Sequence, residues 1–235
     1  MKARTAVMLS LAFALGACNK NVPKLDIPFA SWDKSYQSKM DLAQVEYKYP
    51  IPTVELGKVT PEYLATLDQE QLDQIYARLT AGPIPDGAFD GRILLPRGGS
   101  GKFRLSEIVG GFTGLGLHLK GLVLEDVGEA LWRGKVFYRQ EGVLRNRIED
   151  LGVLKKMGLV QGEPKKMDFN GKQTWLLFPA KLYCGQSLLD ARRESIIIDY
   201  FFTDEIPGYQ ENPDYLAGRR GLRVRDEIRM IRPGL

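Results

Sequence analysis

The side chains of this chain that could do chemistry are few. Its only histidine, His118, stands between leucines, and its only cysteines are Cys18 and Cys184. Zinc sites and nucleophilic triads depend on His and Cys side chains, and a disulfide framework needs more cysteines than two. We therefore predict no metal site, no cofactor and no catalytic residue of these classes.

Two carboxylates are better candidates for a role, because each interrupts an apolar pattern. Asp199 separates the isoleucines of 196–198 from the aromatics of 200–202, and Asp226 falls on the apolar face of the alternating segment 222–230. A buried carboxylate needs a partner or carries a raised pKa. We expect ion pairs with arginines, and ligand recognition or acid–base catalysis are the alternatives. The candidate partners are Arg192, Arg193, Arg219, Arg220, Arg223 and Arg225.

Aromatic residues are frequent in the second half of the chain, more so than a flat two-layer sheet requires. Inward aromatic side chains can line a cavity for an acyl chain, and an ordinary aromatic core is the alternative. The predicted ligand-binding residues are Trp132, Phe137, Trp175, Tyr200 and Phe202, together with Asp199 and Asp226.

The N-terminus has the pattern of a bacterial export signal. Lys2 and Arg4 form a basic head, and residues 6–17 form an apolar stretch shorter than the roughly 20 residues that span a bilayer. The stretch ends in Leu15-Gly16-Ala17-Cys18, which resembles the lipobox of bacterial lipoproteins. The resemblance implies cleavage after residue 17 and acylation of Cys18, which would anchor the protein to a membrane.

The residue after this cysteine and the charge of the mature chain bear on location and partners. Asn19 stands where an aspartate would favour inner-membrane retention, so we predict a periplasm-facing protein, preferably at the outer membrane. The formal charge of +4 falls to 4 − 2 = +2 without Lys2 and Arg4. This charge predicts no nucleic-acid partner. Cys184 would be the only thiol left, and we expect it to be buried as a small hydrophobic residue.

The mature chain divides into a tether and one domain. Residues 18–59 contain several prolines and are predicted to form a lipidated N-terminus and tether, followed by a single domain over residues 60–235. Thr60 before Pro61 is typical of a helix start, and Asp68 could cap a second helix over 69–79. The tether's aromatics predict that its later part lies against the domain. They are Trp32, Tyr36, Tyr47 and Tyr49.

The rest of the domain has the pattern of an antiparallel sheet. Apolar or alternating runs predict strands at 89–95, 131–139, 143–148, 174–183, 195–202 and 222–231. Asn170-Gly171 predicts a hairpin turn. The Pro-Gly turn signal within 231–235 suggests that a closing strand follows in the natural protein.

Two glycine-rich segments allow more than one interpretation. The loop at 97–102 lacks the spacing of a phosphate-binding loop. Residues 106–127 are apolar on every side, with five glycines, and predict a buried core helix or else a segment that contacts a membrane or forms a pocket.

Three short motifs carry a family resemblance. Gly87-Ala88-Phe89-Asp90-Gly91 resembles a G-x-W-x-G box with phenylalanine in place of tryptophan. Trp132-Arg133-Gly134-Lys135-Val136-Phe137 and Ile197-Ile198-Asp199-Tyr200-Phe201 resemble later segments of GXWXG/DUF4334-type proteins, in the same order. The resemblance implies a calycin-like β-barrel suited to one apolar ligand.

The sequence thus predicts an α+β fold, with short helices before an antiparallel calycin- or lipocalin-like barrel or a strongly curved sheet. The predicted function is that of a lipid-anchored, non-enzymatic cell-envelope protein that binds a lipid or other apolar small molecule. One alternative is an interaction lipoprotein with an arginine-rich face and an unidentified protein partner. The other is a lipid-modifying enzyme that uses Asp199 or Asp226.

Overall fold

The computed structural model describes residues 22–92, 94, 132–156 and 158–235 as a mixed α+β fold. The helices are α1 (Leu42–Lys48), α2 (Thr53–Leu56), α3 (Pro61–Leu64), α4 (Gln69–Ala77), α5 (Gly152–Lys156) and α6 (Glu211–Asp214). The strands are β1 (Gly87–Asp90), β2 (Trp132–Tyr138), β3 (Val143–Ile148), β4 (Lys166–Phe169), β5 (Lys172–Gln186), β6 (Glu194–Asp199) and β7 (Arg225–Ile228). No helix in these ranges has the length and apolarity to cross a membrane.

Several predictions fall outside the described residues. They are the export signal with Cys18, the loop at 97–102 and the glycine-rich segment 106–127 with His118.

The two predicted helix starts are both confirmed. The Thr60 hydroxyl accepts a hydrogen bond from the Tyr63 amide at 3.2 Å, so it caps α3. Asp68 and Gln71 form a reciprocal capping box at the start of α4, which makes this region two helices rather than one. α4 ends at Ala77, two residues before the predicted end.

The segment before these helices is packed against them by aliphatic side chains. Ile27 and Val59 are buried in one cluster with residues of α3 and α4. Gln74 of α4 accepts from the Ala30 amide at 2.9 Å, which holds the extended segment along the helix. The expectation that Tyr36 and Tyr47 make this contact is wrong, since they are 85% and 86% exposed.

All seven strands form one antiparallel sheet in the order β1-β2-β3-β5-β6-β7, with β4 paired to the beginning of β5. The predicted strand 143–148 is confirmed as β3, whereas the run 222–231 is a strand only over β7. β4 was not predicted, but its turn was. Asn170 and Gly171 both have positive φ, +50° and +73°, as a two-residue type I′ hairpin requires.

Two bulges reset which side chains share a face. In β2 the register shifts between Trp132 and Gly134, and Gly134 has φ +140°. In β5 the shift occurs at Phe178, whose φ is +52° and whose amide donates to buried Asp214 at 2.7 Å. Each bulge adds one residue to its strand and bends the sheet.

The sheet is strongly curved, but its seven described strands do not close into a barrel. β2 and β7 are four steps apart in the strand order, about 19 Å in a flat sheet at 4.8 Å per step. Yet the ammonium of Lys135 on β2 lies 3.8 Å from the Asp226 carboxylate on β7. Within the described residues β1 and β7 are the two ends of the strand order and do not pair, so the prediction of a closed barrel is wrong there and the curved sheet is the form observed. After β7 the chain leaves the sheet, and Met230 bridges to Thr80 instead of turning towards β1.

The concave face of this sheet is largely apolar. Its buried cluster draws on four strands and on the segments after β6 and α6, and its members are Phe137, Leu144, Ala180, Leu182, Ile196, Ile198, Tyr200 and Ala217. Partly buried residues of the two edge strands, such as Phe89 and Ile228, pack against it.

Cys184 does not join this core, so the expectation of a buried thiol is wrong. The side chain is exposed. β3 pairs with β5 only as far as Lys181, so that beyond this point β6 is the one described strand that pairs with β5. The missing neighbour leaves Cys184 uncovered.

Candidate functional site

A group of polar side chains interrupts the concave apolar face. The group, here called the Lys135 cluster, consists of Trp132, Lys135, Asn146, Tyr200 and Asp226. Its members come from β2, β3, the residue after β6, and β7. The curvature of the sheet therefore brings together side chains whose strands are not neighbours.

The bulge in β2 decides which of its side chains enter the cluster. Trp132 pairs with Ile148 and Lys135 pairs with Asn146, two residues apart on β3 and therefore on one face. Without the extra residue at Gly134, alternation would place Trp132 and Lys135 on opposite faces. The bulge thus lets both side chains point into the concave side.

Asn146 is the centre of the cluster and is 5% exposed. Its Oδ1 accepts from the Trp132 Nε1 and from the Lys135 Nζ, each at 2.9 Å. Its Nδ2 donates to the Phe178 carbonyl at 3.1 Å and to the Tyr200 Oη at 2.9 Å. Since two donors face one end of the amide, its orientation follows from its partners.

Lys135 is held by both hydrogen bonds and aromatic rings. Its Nζ donates to the Tyr200 Oη at 2.7 Å and lies 5.5 Å and 5.4 Å from the ring centroids of Trp132 and Tyr200. The side chain is 17% exposed. The ammonium is thus confined without being sealed from solvent.

Asp226 is the most accessible ionisable group of the cluster, with 41% of its side chain exposed. The surrounding protein displaces enough water to raise the pKa of its carboxyl, and the charge of Lys135 only partly opposes this. At 3.8 Å the two charges attract but do not form a hydrogen bond.

Five of the seven predicted site residues lie in or next to the cluster. Trp132, Tyr200 and Asp226 belong to it. Phe137 is buried in the adjoining core, with its ring edge-to-face with Phe89 at 5.5 Å. Trp175 is half-buried in a neighbouring apolar cluster that also includes Trp132.

The other two predicted residues, Asp199 and Phe202, lie elsewhere. Asp199 is buried on the opposite face, where it accepts from the Tyr183 hydroxyl at 2.7 Å and from the Phe201 amide at 3.0 Å. The expected arginine partner is wrong here, because these two donors already satisfy the carboxylate. Phe202 packs under the ammonium of Lys181 at 4.6 Å.

Sequence reasoning missed Lys135 and Asn146 as site residues. Lys135 lies within the quoted Trp132-to-Phe137 motif, and Asn146 is a short polar residue between two arginines in a strand that is largely buried. A polar side chain in a buried strand needs partners. This signal could have identified Asn146.

No family model matches this chain, and comparison with curated proteins and with solved structures gives no match. The chemistry of the site must therefore follow from its own residues. Among the described residues, no cluster of His, Cys, Asp and Glu has the composition to hold a metal ion.

The candidate arginines are mostly paired with nearby acids. Arg192 bonds Asp190, Arg219 bonds Asp204, and Arg220 bonds Glu211. Arg192 and Arg193 also reach Glu46. These pairs neutralise much of the charge that the sequence suggested for an arginine-rich face.

An open depression of about 370 Å³ lies away from the cluster, between α4 and β7. Its charged groups are engaged: Glu227 accepts from the Ser187 hydroxyl at 2.7 Å, and Arg229 donates to the Ser195 hydroxyl at 2.9 Å. We therefore regard the Lys135 cluster, and not this depression, as the candidate site.

Proposed function

We propose that this protein is a lipid-anchored cell-envelope protein whose concave sheet face binds a lipid or other apolar small molecule without chemical turnover. The observation that carries the proposal is the Lys135 cluster, a few convergent polar side chains on an apolar concave surface. Binding sites for small apolar molecules have this composition, since the apolar surface supplies affinity and the polar groups fix orientation.

The proposed anchor would hold the binding domain close to the membrane. Cys18 is nine residues from Ile27, the first buried residue of the described chain. Nine extended residues span at most about 32 Å. An acyl group on Cys18 would therefore keep the domain within this distance of the bilayer, and a lipid ligand would have a short path to the site. The preferred membrane is the outer membrane, at its periplasmic face.

The anchor is tested by Cys18→Ala in the native host, using metabolic labelling with a clickable palmitate analogue. The wild-type protein should be labelled and sediment with membranes, whereas the variant should lose the label and most of its membrane association. Cys184→Ala is the matched control and should keep both. Equal labelling of wild type and Cys18→Ala would refute the anchor.

Ligand binding is tested with an environment-sensitive fatty-acid probe on the full chain carrying Cys18→Ala. Saturable binding that lipid displaces is expected, and Trp132→Ala should weaken it. Trp32→Ala is a close control, because the Trp32 Nε1 also donates a hydrogen bond, at 2.8 Å, and a lysine, Lys39, also lies over its ring at 5.2 Å.

Probe binding must be compared at equal folded fraction, because losing the indole could destabilise the fold by about 3–5 kcal/mol. A well-folded parent protein without saturable binding would overturn the proposal. Native mass spectrometry of protein from its own host adds a second criterion. A co-purifying lipid supports the proposal, whereas a stoichiometric protein partner without lipid favours the interaction lipoprotein.

The two alternatives have less support. The arginine-rich face is largely neutralised by its acidic neighbours, as described above. An enzyme that uses Asp199 would first have to free its carboxylate from Tyr183 and Phe201.

A further inference from the structure

The hydrogen bonds of the Lys135 cluster are unevenly matched. A lysine ammonium carries three N–H donors and a tyrosine hydroxyl carries one. Two donors of Lys135 are used, one on the Asn146 Oδ1 and one on the Tyr200 Oη. Within the described part of the chain, the acceptor left for the third donor is Asp226, which at 3.8 Å is beyond hydrogen-bond distance.

Tyr200 shows the same excess of donors. Its Oη accepts from Lys135 at 2.7 Å and from Asn146 at 2.9 Å, which occupies both of its lone pairs. The hydroxyl proton therefore needs an acceptor of its own, and within the described residues none lies in range. Tyr200 is only 3% exposed, so an acceptor has to approach its hydroxyl from the side of Lys135, whose side chain is 17% exposed.

Asn146 cannot relieve this imbalance. Turning its amide around would place the NH₂ group against the indole N–H of Trp132 and the ammonium of Lys135, both of which are donors. The excess of donors is therefore a property of the whole cluster. What the cluster lacks is an acceptor oxygen next to Lys135 and Tyr200.

We infer that the ligand supplies this acceptor as a carboxylate, so that the site recognises a fatty acid or a similar apolar acid. This inference rests on the proposed function and names the head group of its ligand. One carboxylate oxygen accepts from Lys135 and Tyr200, and the other shares a proton with the Asp226 carboxyl. The apolar chain leaves the cluster on the side of Lys135 and Asp226, whose side chains are 17% and 41% exposed.

Other head groups match the cluster less well. An amine brings further donors and a positive charge towards Lys135. An alcohol brings an acceptor, but it has neither the charge that strengthens the bond to an ammonium nor a second oxygen for Asp226. A phosphate monoester brings up to two negative charges to a site that already holds a carboxyl group.

The test compares ligands of equal chain length by calorimetry: decanoate, decanol, decylamine and decyl phosphate, each below its critical micelle concentration. The protein is the full chain carrying Cys18→Ala. Decanoate should bind at least about tenfold more tightly than decanol, because a charge-assisted hydrogen bond is roughly twice as strong as a neutral one. Decylamine and decyl phosphate should bind more weakly than decanoate.

Matched variants locate the effect. Lys135→Met and Tyr200→Phe should each weaken the binding of decanoate more than that of decanol, and so remove most of the preference for decanoate. Lys181→Met is the control for the first, because Lys181 also lies over an aromatic ring and pairs with a carboxylate, Glu205. Tyr183→Phe is the control for the second, on the opposite face of the sheet. Both controls should keep the preference.

Asp226→Asn tests the head-group inference with a variant that should keep its contact with the ligand carboxylate. The amide can donate to the second carboxylate oxygen without any charge, so decanoate should bind at least as well as to the parent protein. The Asp226→Asn variant should fold, because the Asp226 carboxylate makes no hydrogen bond in the described structure that the substitution could remove.

The outcomes separate this inference from the proposed function. If decanoate and decanol bind with equal affinity, the head-group inference is wrong and apolar binding stands. If decylamine or decyl phosphate binds more tightly than decanoate, the inference is likewise overturned. If none of the four ligands binds to folded protein, the proposed function itself fails.

Discussion

Asp199 and Asp226 lie on adjacent strands of the same sheet, yet their carboxylates have opposite surroundings. Asp199, on the convex face, is 6% exposed and accepts two hydrogen bonds. Asp226, on the concave face, has 41% of its side chain exposed, and its contact with a charged group within the described residues is with the Lys135 ammonium at 3.8 Å. The convex carboxylate is engaged by groups of the fold, whereas the concave one makes no hydrogen bond within the described residues.

The difference shows how to separate structural polar groups from candidate binding groups. Both aspartates interrupt an apolar sequence pattern, so the pattern alone cannot distinguish them. What distinguishes them is whether the donors and acceptors around each group are matched. Around Asp199 they are matched, whereas in the Lys135 cluster donors exceed acceptors.

The largest effect on this contrast is expected from a substitution at the β2 bulge, which determines the side chains of β2 that lie on each face of the sheet. A Cβ at Gly134 would lie 2.0 Å from the Phe89 carbonyl oxygen, and φ at this position is +140°. Gly134→Ala should therefore destabilise the protein by about 3–5 kcal/mol, from backbone strain and a clash with β1. Chemical denaturation measures the change.

Gly171→Ala is the control for positive φ alone, since nothing lies within 4 Å of a Cβ there. It should cost only about 1 kcal/mol. Equal losses in the two variants would show that close packing at the β2 bulge does not matter.

Replacing the centre of the cluster should have the next largest effect. Asn146→Leu keeps the approximate volume but removes the acceptor for Trp132 and Lys135 and the donor to Phe178. The free energy of unfolding should fall by about 2–3 kcal/mol, because a confined ammonium loses a partner. Unchanged stability on urea titration would mean that the cluster does not organise this face.

On the convex face, Asp199→Ala should destabilise by about 1–2 kcal/mol, since it leaves the Phe201 amide and the Tyr183 hydroxyl without their acceptor. Tyr183→Phe should cost less than Asp199→Ala, because it removes only one of the two bonds. A thermal melt that shows Asp199→Ala to be as stable as the parent protein would contradict the assignment of Asp199 to the fold.

Asp226→Asn should give the smallest effect, and one of opposite sign. The pKa of Asp226 is raised in the folded state, so the ionised carboxyl disfavours folding at neutral pH. This penalty disappears as the pH falls through the raised pKa towards the ordinary value. The variant should therefore melt slightly above wild type at pH 7.5 and show no advantage near pH 3. A melting temperature below wild type at pH 7.5 would contradict this sign.

Much of the framework could be predicted from local sequence signals. The caps at Thr60 and Asp68 and the turn at Asn170-Gly171 depend on side chains within a few residues, so short patterns specify them. Strand β3 could also be predicted, because the composition of its own residues indicates a strand. The open form of the sheet could not be predicted, because it depends on how the chain continues after β7 to bridge Thr80.

The candidate site was only partly accessible to sequence reasoning. Trp132, Tyr200 and Asp226 attract notice by residue type. Lys135 and Asn146 matter through their geometry, which depends on the bulge at Gly134 and the curvature of the sheet. Both of these features join residues that are distant in sequence.

The open sheet also affects how copies of the protein behave when crowded together. β1 and β7 are edges within the described residues, and each is only four residues long. Short edges that carry charged side chains, such as Asp90 and Arg225, are poor templates for strand addition by another molecule. Copies at high local concentration would thus collide often without joining into continuous sheets through these edges.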